Sequence, residues 1–378
     1  MDRRELLAAA GLFGLVACSP APESPASPTT VPPQPLQKGP ASASPPVQEI
    51  QQRMPDDLRE QVASLMHVGV ASFDDARAKV EAGVGGIFIT SWADPAMLTQ
   101  PGRDIHELKR IAGRPLMVSI DFEGGRVQRH SQILGSFPAP GALAAQGESG
   151  VQETASAIGR SLSAHGITVD FAPVLDVDGA GLHVVGDRSF SADPQTAGAL
   201  GAAFARGLME AGVRPVYKHF PGHGRASGDT HAGGAVTPAL PEIKEHDLAS
   251  FAQALERTPH ASVMLGHMIV PGLGDSLPSS LNPAAYRLLR YGDYPGGRGY
   301  RGLTFTDDLT GMRAITDKYP LDQAVSQAIA AGADQALWSN GTDPNGVIDA
   351  VVQRVRNQEI PQERITAAVF RVARAHSL

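Results

Sequence analysis

The chain has 378 residues, 42% of them hydrophobic and 19% charged, enough for one large domain or two ordinary ones with a sizeable core. Its formal net charge is −7 and only 5% of its residues are aromatic. Without a basic stripe or a stacking surface, nucleic-acid binding is excluded, and a single cysteine excludes an internal disulfide.

The chain opens on a charged start, "MDRRE", followed by the apolar run "LLAAAGLFGLVA" over residues 6–17, which is short for a bilayer span. The run ends in "LVAC", where Cys18, the lone cysteine, resembles the lipidated residue of a bacterial lipobox. Residues 1–17 therefore read as a lipoprotein signal peptide. Lipidation at Cys18 would anchor the protein on the extracytoplasmic face of the membrane, in the cell envelope. Residues 18–53 are rich in Pro, Ala and Ser, cannot build a core, and read as a disordered tether. The folded part is expected over 54–378.

Eight short β-rich runs follow, separated by helical stretches. They are residues 65–70, 85–90, 115–121, 167–174, 214–220, 262–267, 303–308 and 334–338. Eight strands alternating with helices in one α/β domain predict a single (β/α)8 TIM-type barrel, with a doubly wound open sheet as the alternative. Polar residues gather at the C-terminal ends of five of these runs: Asp121, Asp170 with Asp176, Lys218 with His219, His267, and Asp307 with Asp308. In a barrel those ends meet at one mouth, where active sites lie.

Four segments carry the chemistry. "SIDFEGGRVQRH" follows the third run and sets Asp121 close to Arg126 and Arg129, a pairing suited to vicinal hydroxyls. The loop after the fourth run carries Arg188 and the "DVD" of Asp176 and Asp178. Those two are hard oxygen ligands without the further carboxylates of a calcium loop. "KHFPGHGRASGDTH", Lys218 to His231, leaves the fifth run as a loop, because Pro221 and its glycines forbid a helix. It has neither the helical histidine spacing of a zinc site nor the glycine–lysine order of a phosphate loop. What it offers is Asp229 two residues before His231, a carboxylate able to orient and charge an imidazole, or else two solvated loop residues. "LTFTDDL" ends the seventh run, and only one of Asp307 and Asp308 can face the mouth, because strand side chains alternate.

Taken in order, "DFEGGRVQR", "GDRSF", "KHFPGHG" with "DTH", and "FTDDL" resemble the bacterial β-N-acetylglucosaminidases of glycoside hydrolase family 3, over nearly the whole folded part. Lipobox and tether make the chain similar to the lipoprotein members of that group. The resemblance implies Asp307 as nucleophile, His231 as general acid/base and Asp229 as its partner. It implies Asp121, Arg129, Arg188, Lys218 and His219 as the residues that hold the terminal sugar. Phe122 stands where a glutamine is common and Thr230 where a serine is common. The activity implied is retaining exo-cleavage of terminal N-acetylglucosamine from peptidoglycan-derived fragments through a glycosyl-aspartate, by a single-barrel monomer with no cofactor and no metal. A β-N-acetylglucosaminide phosphorylase, or another family 3 β-glycosidase, is the alternative. Two rivals come from other classes. One is a two-lobed sugar-binding lipoprotein; the other is a metal-dependent hydrolase using His219, His223, Asp229 and His231 as ligands.

Overall fold

A computed structural model describes residues 47–178, 181–274 and 276–376. Among the described residues there are ten strands: β1 (Met66–Val70), β2 (Gly86–Ile89), β3 (Met117–Ile120), β4 (Phe122–Gly124), β5 (Val127–Gln128), β6 (Val169–Asp170), β7 (Arg214–Phe220), β8 (Ser262–Leu265), β9 (Thr304–Thr306) and β10 (Ala336–Trp338). Eight of them form one parallel sheet in the order β10-β1-β2-β3-β6-β7-β8-β9. A parallel bridge between Phe305 and Gln335 joins its two ends, and the Thr306 amide donates to the Gln335 carbonyl at 3.0 Å. The sheet is thus a closed (β/α)8 barrel, as expected, and each of the eight strands falls within one of the eight β-rich runs. The remaining two, β4 and β5, form an antiparallel hairpin directly after β3.

The barrel strands are buried on both faces, which is why they read as near-continuous apolar runs. Phe171 and Phe305 pack edge to face at 5.4 Å across the interior, with the His67 ring against both. His67 bonds Ser119 at 2.6 Å and Gln335 at 3.2 Å, and burial pulls its pKa down to about 4. It is a neutral, satisfied core residue. The outer helices start where the sequence supplies caps. Ser72, Asp104 and Asp193 each accept a hydrogen bond from an amide of the first turn. Helices Gly147–Ala164 and Pro194–Glu210 approach closely because Gly207 lies between them. A Cβ there would sit 2.3 Å from the Gln152 carbonyl oxygen.

The first described residue is Val47, seven residues before Met54. Helix Val47–Gln51 buries Ile50 to 2% exposure against the barrel's shell. The expected signal peptide, Cys18 and most of the tether lie outside the described residues. Among the described residues no helix is long and apolar enough to cross a membrane.

Candidate active site

The C-terminal ends of the strands surround a cavity of about 440 Å³, within the usual range of small-molecule sites. Its lining includes Asp121, Arg129, Arg188, Lys218, His219, Asp229, His231 and Asp307, so all eight residues expected at the site converge.

One wall is an ion cluster built on the β4–β5 hairpin. Gly124 and Gly125 make its turn at φ +94° and +58°. A Cβ on either would meet Pro138 or Ala139 within about 2.5 Å, so the turn needs glycine. The turn sends Arg129 back onto Asp121, with Nε and Nη2 at 3.2 and 3.0 Å from one carboxylate oxygen. Lys218 donates to the other oxygen at 2.9 Å and lies 2.7 Å from Glu123. Arg188 grips Glu123 with two bonds of 2.8 and 2.7 Å. Burial pushes both carboxyl pKa values up, but the cations outweigh it. Asp121 is held well below the ordinary carboxylate range by Lys218 and Arg129, and Glu123 falls to about 2 beside Arg188 and Lys218. Burial alone would lower Lys218, yet the two carboxylates hold its pKa up. The cluster is therefore fully ionised at neutral pH, with two anions against three cations.

Behind it lies a second chain of groups. Asp176 accepts from His219 Nδ1 at 2.6 Å, from the His219 amide at 3.2 Å and from the His223 amide at 2.7 Å. Burial raises Asp176, but the two histidines bring it down to about 2. With Nδ1 committed, His219 turns Nε2 toward Asp307, 3.9 Å away. Lys218 and His219 are sequence neighbours, yet both reach the mouth. The β7–β8 pairing shifts register between Tyr217 and Phe220, and the intervening peptide is cis.

Asp307 and Asp308 both line the cavity, although strand alternation predicts only one at the mouth, and they differ in what binds them. Asp307 is 8% exposed in the cavity floor. Burial raises its pKa, but His219 and His267 outweigh that and keep it ionised. Asp308 is spent on structure: it accepts from the Thr310 amide at 2.9 Å and the Ser339 amide at 3.1 Å. His267 accepts or donates at the Ser280 hydroxyl, 2.7 Å away, and meets the Asp308 carbonyl at 3.0 Å.

Asp229 and His231 ride the loop after β7. His231 Nδ1 and its own amide both bond Asp229 Oδ1, at 2.7 and 2.9 Å. Burial tends to raise Asp229, and these bonds lower it overall. The arrangement fixes Nδ1 as the protonated nitrogen against the carboxylate and leaves Nε2 to the cavity. Between the two, Thr230 is buried and bonds Met312 Sδ at 3.2 Å, pegging the loop to the next wall. A metal reading of this loop does not fit: His223 Nε2 is on the Gly228 carbonyl at 3.1 Å, and among the described residues no three His, Cys, Asp or Glu side chains converge as ligands.

One group of the site escaped the sequence reading. Glu123 holds both Arg188 and Lys218 from the hairpin. Its signal was the Asp-x-Glu spacing with Asp121, which puts both carboxylates on one side of an extended segment. Asp176, expected among the mouth residues and weighed as a metal ligand, orients His219 instead. Asp170 was also grouped with the mouth residues but lies beneath it. It accepts from the Phe122 amide at 2.9 Å, and burial raises its pKa well above the ordinary carboxylate value.

Residues 57–375 match the model of the glycosyl hydrolase family 3 N-terminal domain. The chain belongs to this family. It is 43% identical over 322 residues to beta-hexosaminidase LpqI of Mycobacterium tuberculosis, covering 83% of this chain and 81% of that protein. It is 34% identical over 278 residues to a beta-hexosaminidase of Thiobacillus denitrificans, covering 71% and 74% respectively. A family 3 glycosyl hydrolase structure from Mycobacterium smegmatis superposes with a TM-score of 0.81 at 45% identity, covering 84% of this chain and 98% of that one. A family 3 β-N-acetylglucosaminidase structure from Paenibacillus superposes at 0.77 with 34% identity, covering 85% and 63%.

Proposed function

We propose that this protein is a retaining exo-β-N-acetylglucosaminidase acting on peptidoglycan-derived fragments. The observation that carries it is one cavity lined by an ionised, buried Asp307, by a fixed carboxylate–cation cluster and by an Asp229–His231 dyad. The names of the relatives supply the amino-sugar preference.

The chemistry follows from the groups. Asp121, Arg129 and Lys218 offer alternating acceptors and donors that suit the vicinal hydroxyls of a terminal sugar. Asp307 attacks the anomeric carbon as the bond to the leaving oxygen breaks, and His231 Nε2 gives that oxygen its proton. In the second half, water attacks the same carbon and gives a proton to His231, while the Asp307 carboxylate departs. Two displacements retain configuration. Asp229 stabilises the imidazolium of the first half, and the neutral imidazole left by that step accepts the proton of the second. His219 stabilises charge on Asp307 and is itself oriented by Asp176. Release of nitrophenol from nitrophenyl β-N-acetylglucosaminide tests this reading; purified protein that releases none, or that cleaves nitrophenyl β-glucoside faster, overturns it.

Histidine in place of a carboxylate favours a second reaction. After the glycosyl-enzyme forms, a neutral imidazole does not repel an anionic acceptor, whereas two like charges about 4 Å apart cost roughly 4 kcal/mol at an effective dielectric of about 20. Phosphate can then compete with water. Formation of N-acetylglucosamine 1-phosphate in millimolar phosphate measures its share.

We further propose that Cys18 is acylated and tethers the barrel outside the cytoplasmic membrane, on the strength of "LVAC" and the Pro-rich segment. A Cys18→Ala chain would leave the membrane fraction and keep its hydrolase activity. Retention of that variant on membranes after a salt wash would refute acylation as the anchor.

A further inference from the structure

A second concavity in the described residues, larger than the active-site cavity, is not near the mouth. It is a groove of about 1420 Å³ at the opposite, N-terminal end of the barrel. Gly299–Arg301 lead from it into β9, and Ala331–Gly332 lead into β10. The C-terminal helix Gln362–Ala375 contributes residues along one side, and the first described turns, through Gln51 and Met54, contribute another.

The charge of this groove runs against that of the molecule. The chain as a whole carries −7, but six arginines line the groove against Asp56 and Glu363. Below them Asp334 is a single, fully buried carboxylate that pairs with Arg290 at 2.7 Å and with Arg364 and Arg371 at 3.1 Å each. One anion for three guanidiniums leaves an excess of two positive charges at the groove's base. Two further arginines, Arg287 and Arg301, are exposed, and their guanidiniums carry no hydrogen bond or ion pair among the described residues. At the rim stands Tyr291, 75% exposed, an amphipathic ring of the kind that settles at headgroup level.

We propose that this groove docks the anionic headgroups of a phospholipid surface, so that the barrel rests on the bilayer by its N-terminal end with its catalytic mouth turned away. Three observations favour a membrane over a soluble polyanion. The first described residues, through Gln51 and Met54, line this groove, and the apolar run and Cys18 lie only about thirty residues upstream in the sequence. The exposed tyrosine adds an interfacial anchor that a soluble anion does not need. The groove also faces opposite the active site, so docking leaves the cavity open to substrate. The proposal uses the position of the tether but does not require acylation or the hydrolase reading.

The test uses the chain from residue 18 onward with Cys18→Ala, which cannot be acylated. Vesicles of equal parts phosphatidylglycerol and phosphatidylcholine should bind it, vesicles of phosphatidylcholine alone should not, and half-molar salt should release it. Each arginine near an anionic surface is worth about fivefold in partitioning, so Arg287→Ala with Arg301→Ala should weaken vesicle binding about 25-fold and leave nitrophenol release unchanged. A polarity-sensitive dye on Tyr291→Cys should shift to the blue on anionic vesicles, while the same dye on Trp92→Cys at the mouth should not. Equal binding to neutral vesicles, binding unaffected by the double substitution, a blue shift only at position 92, or retention on soluble polyphosphate without vesicle binding would each overturn the proposal. Hydrolysis is measured in the same samples, so a failure of the docking surface is distinguished from a failure of the enzyme.

Discussion

The two sides of the cavity are built in opposite ways. The cluster of Asp121, Glu123, Arg188 and Lys218 is mostly buried, bonded at several atoms per residue, and seated on strand ends and a glycine-turned hairpin. The Asp229–His231 dyad is on a loop, with the His231 side chain 55% exposed and the Asp229 side chain 40% exposed, held mainly by each other and by the Thr230 peg. A sugar-holding wall gains from rigidity, since donors fixed in advance lose little entropy on binding. An acid/base that must first protonate a leaving group and then admit water gains from a hinge. The asymmetry predicts that substitutions on the two sides fail differently: in activity and stability together on the fixed side, in activity alone on the loop.

The largest effect belongs to the floor between them. Asp307→Ala removes the attacking atom and should lower kcat by on the order of a thousandfold or more, with the fold retained. A 5-fluoro-glycosyl trap should label the peptide containing Asp307, as read by mass spectrometry. Label on Asp308 would reverse the assignment, although that carboxylate is already bound to the Thr310 and Ser339 amides.

Next comes the loop. His231→Ala should cost about 10²–10⁴-fold. The loss should be smaller on the nitrophenyl glycoside than on a disaccharide, whose sugar leaving group needs the proton. The melting transition should move by no more than about 0.5 kcal/mol, because the side chain is exposed. A comparable loss of stability would mean that the dyad belongs to the fixed scaffold after all.

That test also bears on what could be read in advance. The barrel was legible because each strand is buried on both sides and so is written as a short apolar run, bounded by glycine, proline or a helix cap. The polar strand ends were legible for the same reason: Asp121, Lys218, His219 and Asp307 interrupt apolar runs. Glu123 was not, because it sits in a hairpin that opens off the barrel, where no apolar run frames it. Asp170 misled in the other direction. It ends a run as a mouth residue would, yet its carboxyl turns to the Phe122 amide beneath the site. Pairings across long sequence distances, such as Asp176 with His219, are set by the closed barrel rather than by spacing.

On the fixed side, Glu123→Gln keeps the shape and removes the charge facing Arg188 and Lys218. Breaking a buried pair in this way should destabilise the fold by about 3–5 kcal/mol in denaturant unfolding, and raise KM as well. The pH dependence follows the same groups. Asp121, Glu123 and Asp176 have folded pKa values depressed below their unfolded ones, with Glu123 and Asp176 at about 2. As pH falls below about 4.5 the unfolded chain takes up protons that the folded chain refuses, so their stabilisation is full above that pH and is lost on the way to pH 2. Glu123→Gln should flatten this acid limb, whereas His231→Ala should alter it much less, because it touches only the part-exposed Asp229. An unchanged acid limb in Glu123→Gln would mean that the cluster is not what ties stability to pH.

The smallest effect probes the hinge itself. Gly228 and Gly234 flank the dyad, and a Cβ added at either meets nothing within 4 Å. Neither has a backbone conformation closed to alanine. Alanine at such sites stabilises a fold by about 0.4–1 kcal/mol, chiefly by restricting the unfolded chain. The same restriction acts on a loop that must swing during turnover. Gly228→Ala with Gly234→Ala should therefore raise the melting temperature slightly and lower kcat roughly several-fold. KM for the nitrophenyl glycoside should stay nearly constant, because the wall that holds the sugar is untouched. The two readouts moving in opposite directions would separate a mobile acid/base from a merely exposed one. If stability rises and kcat does not fall, the dyad works from the position it already holds.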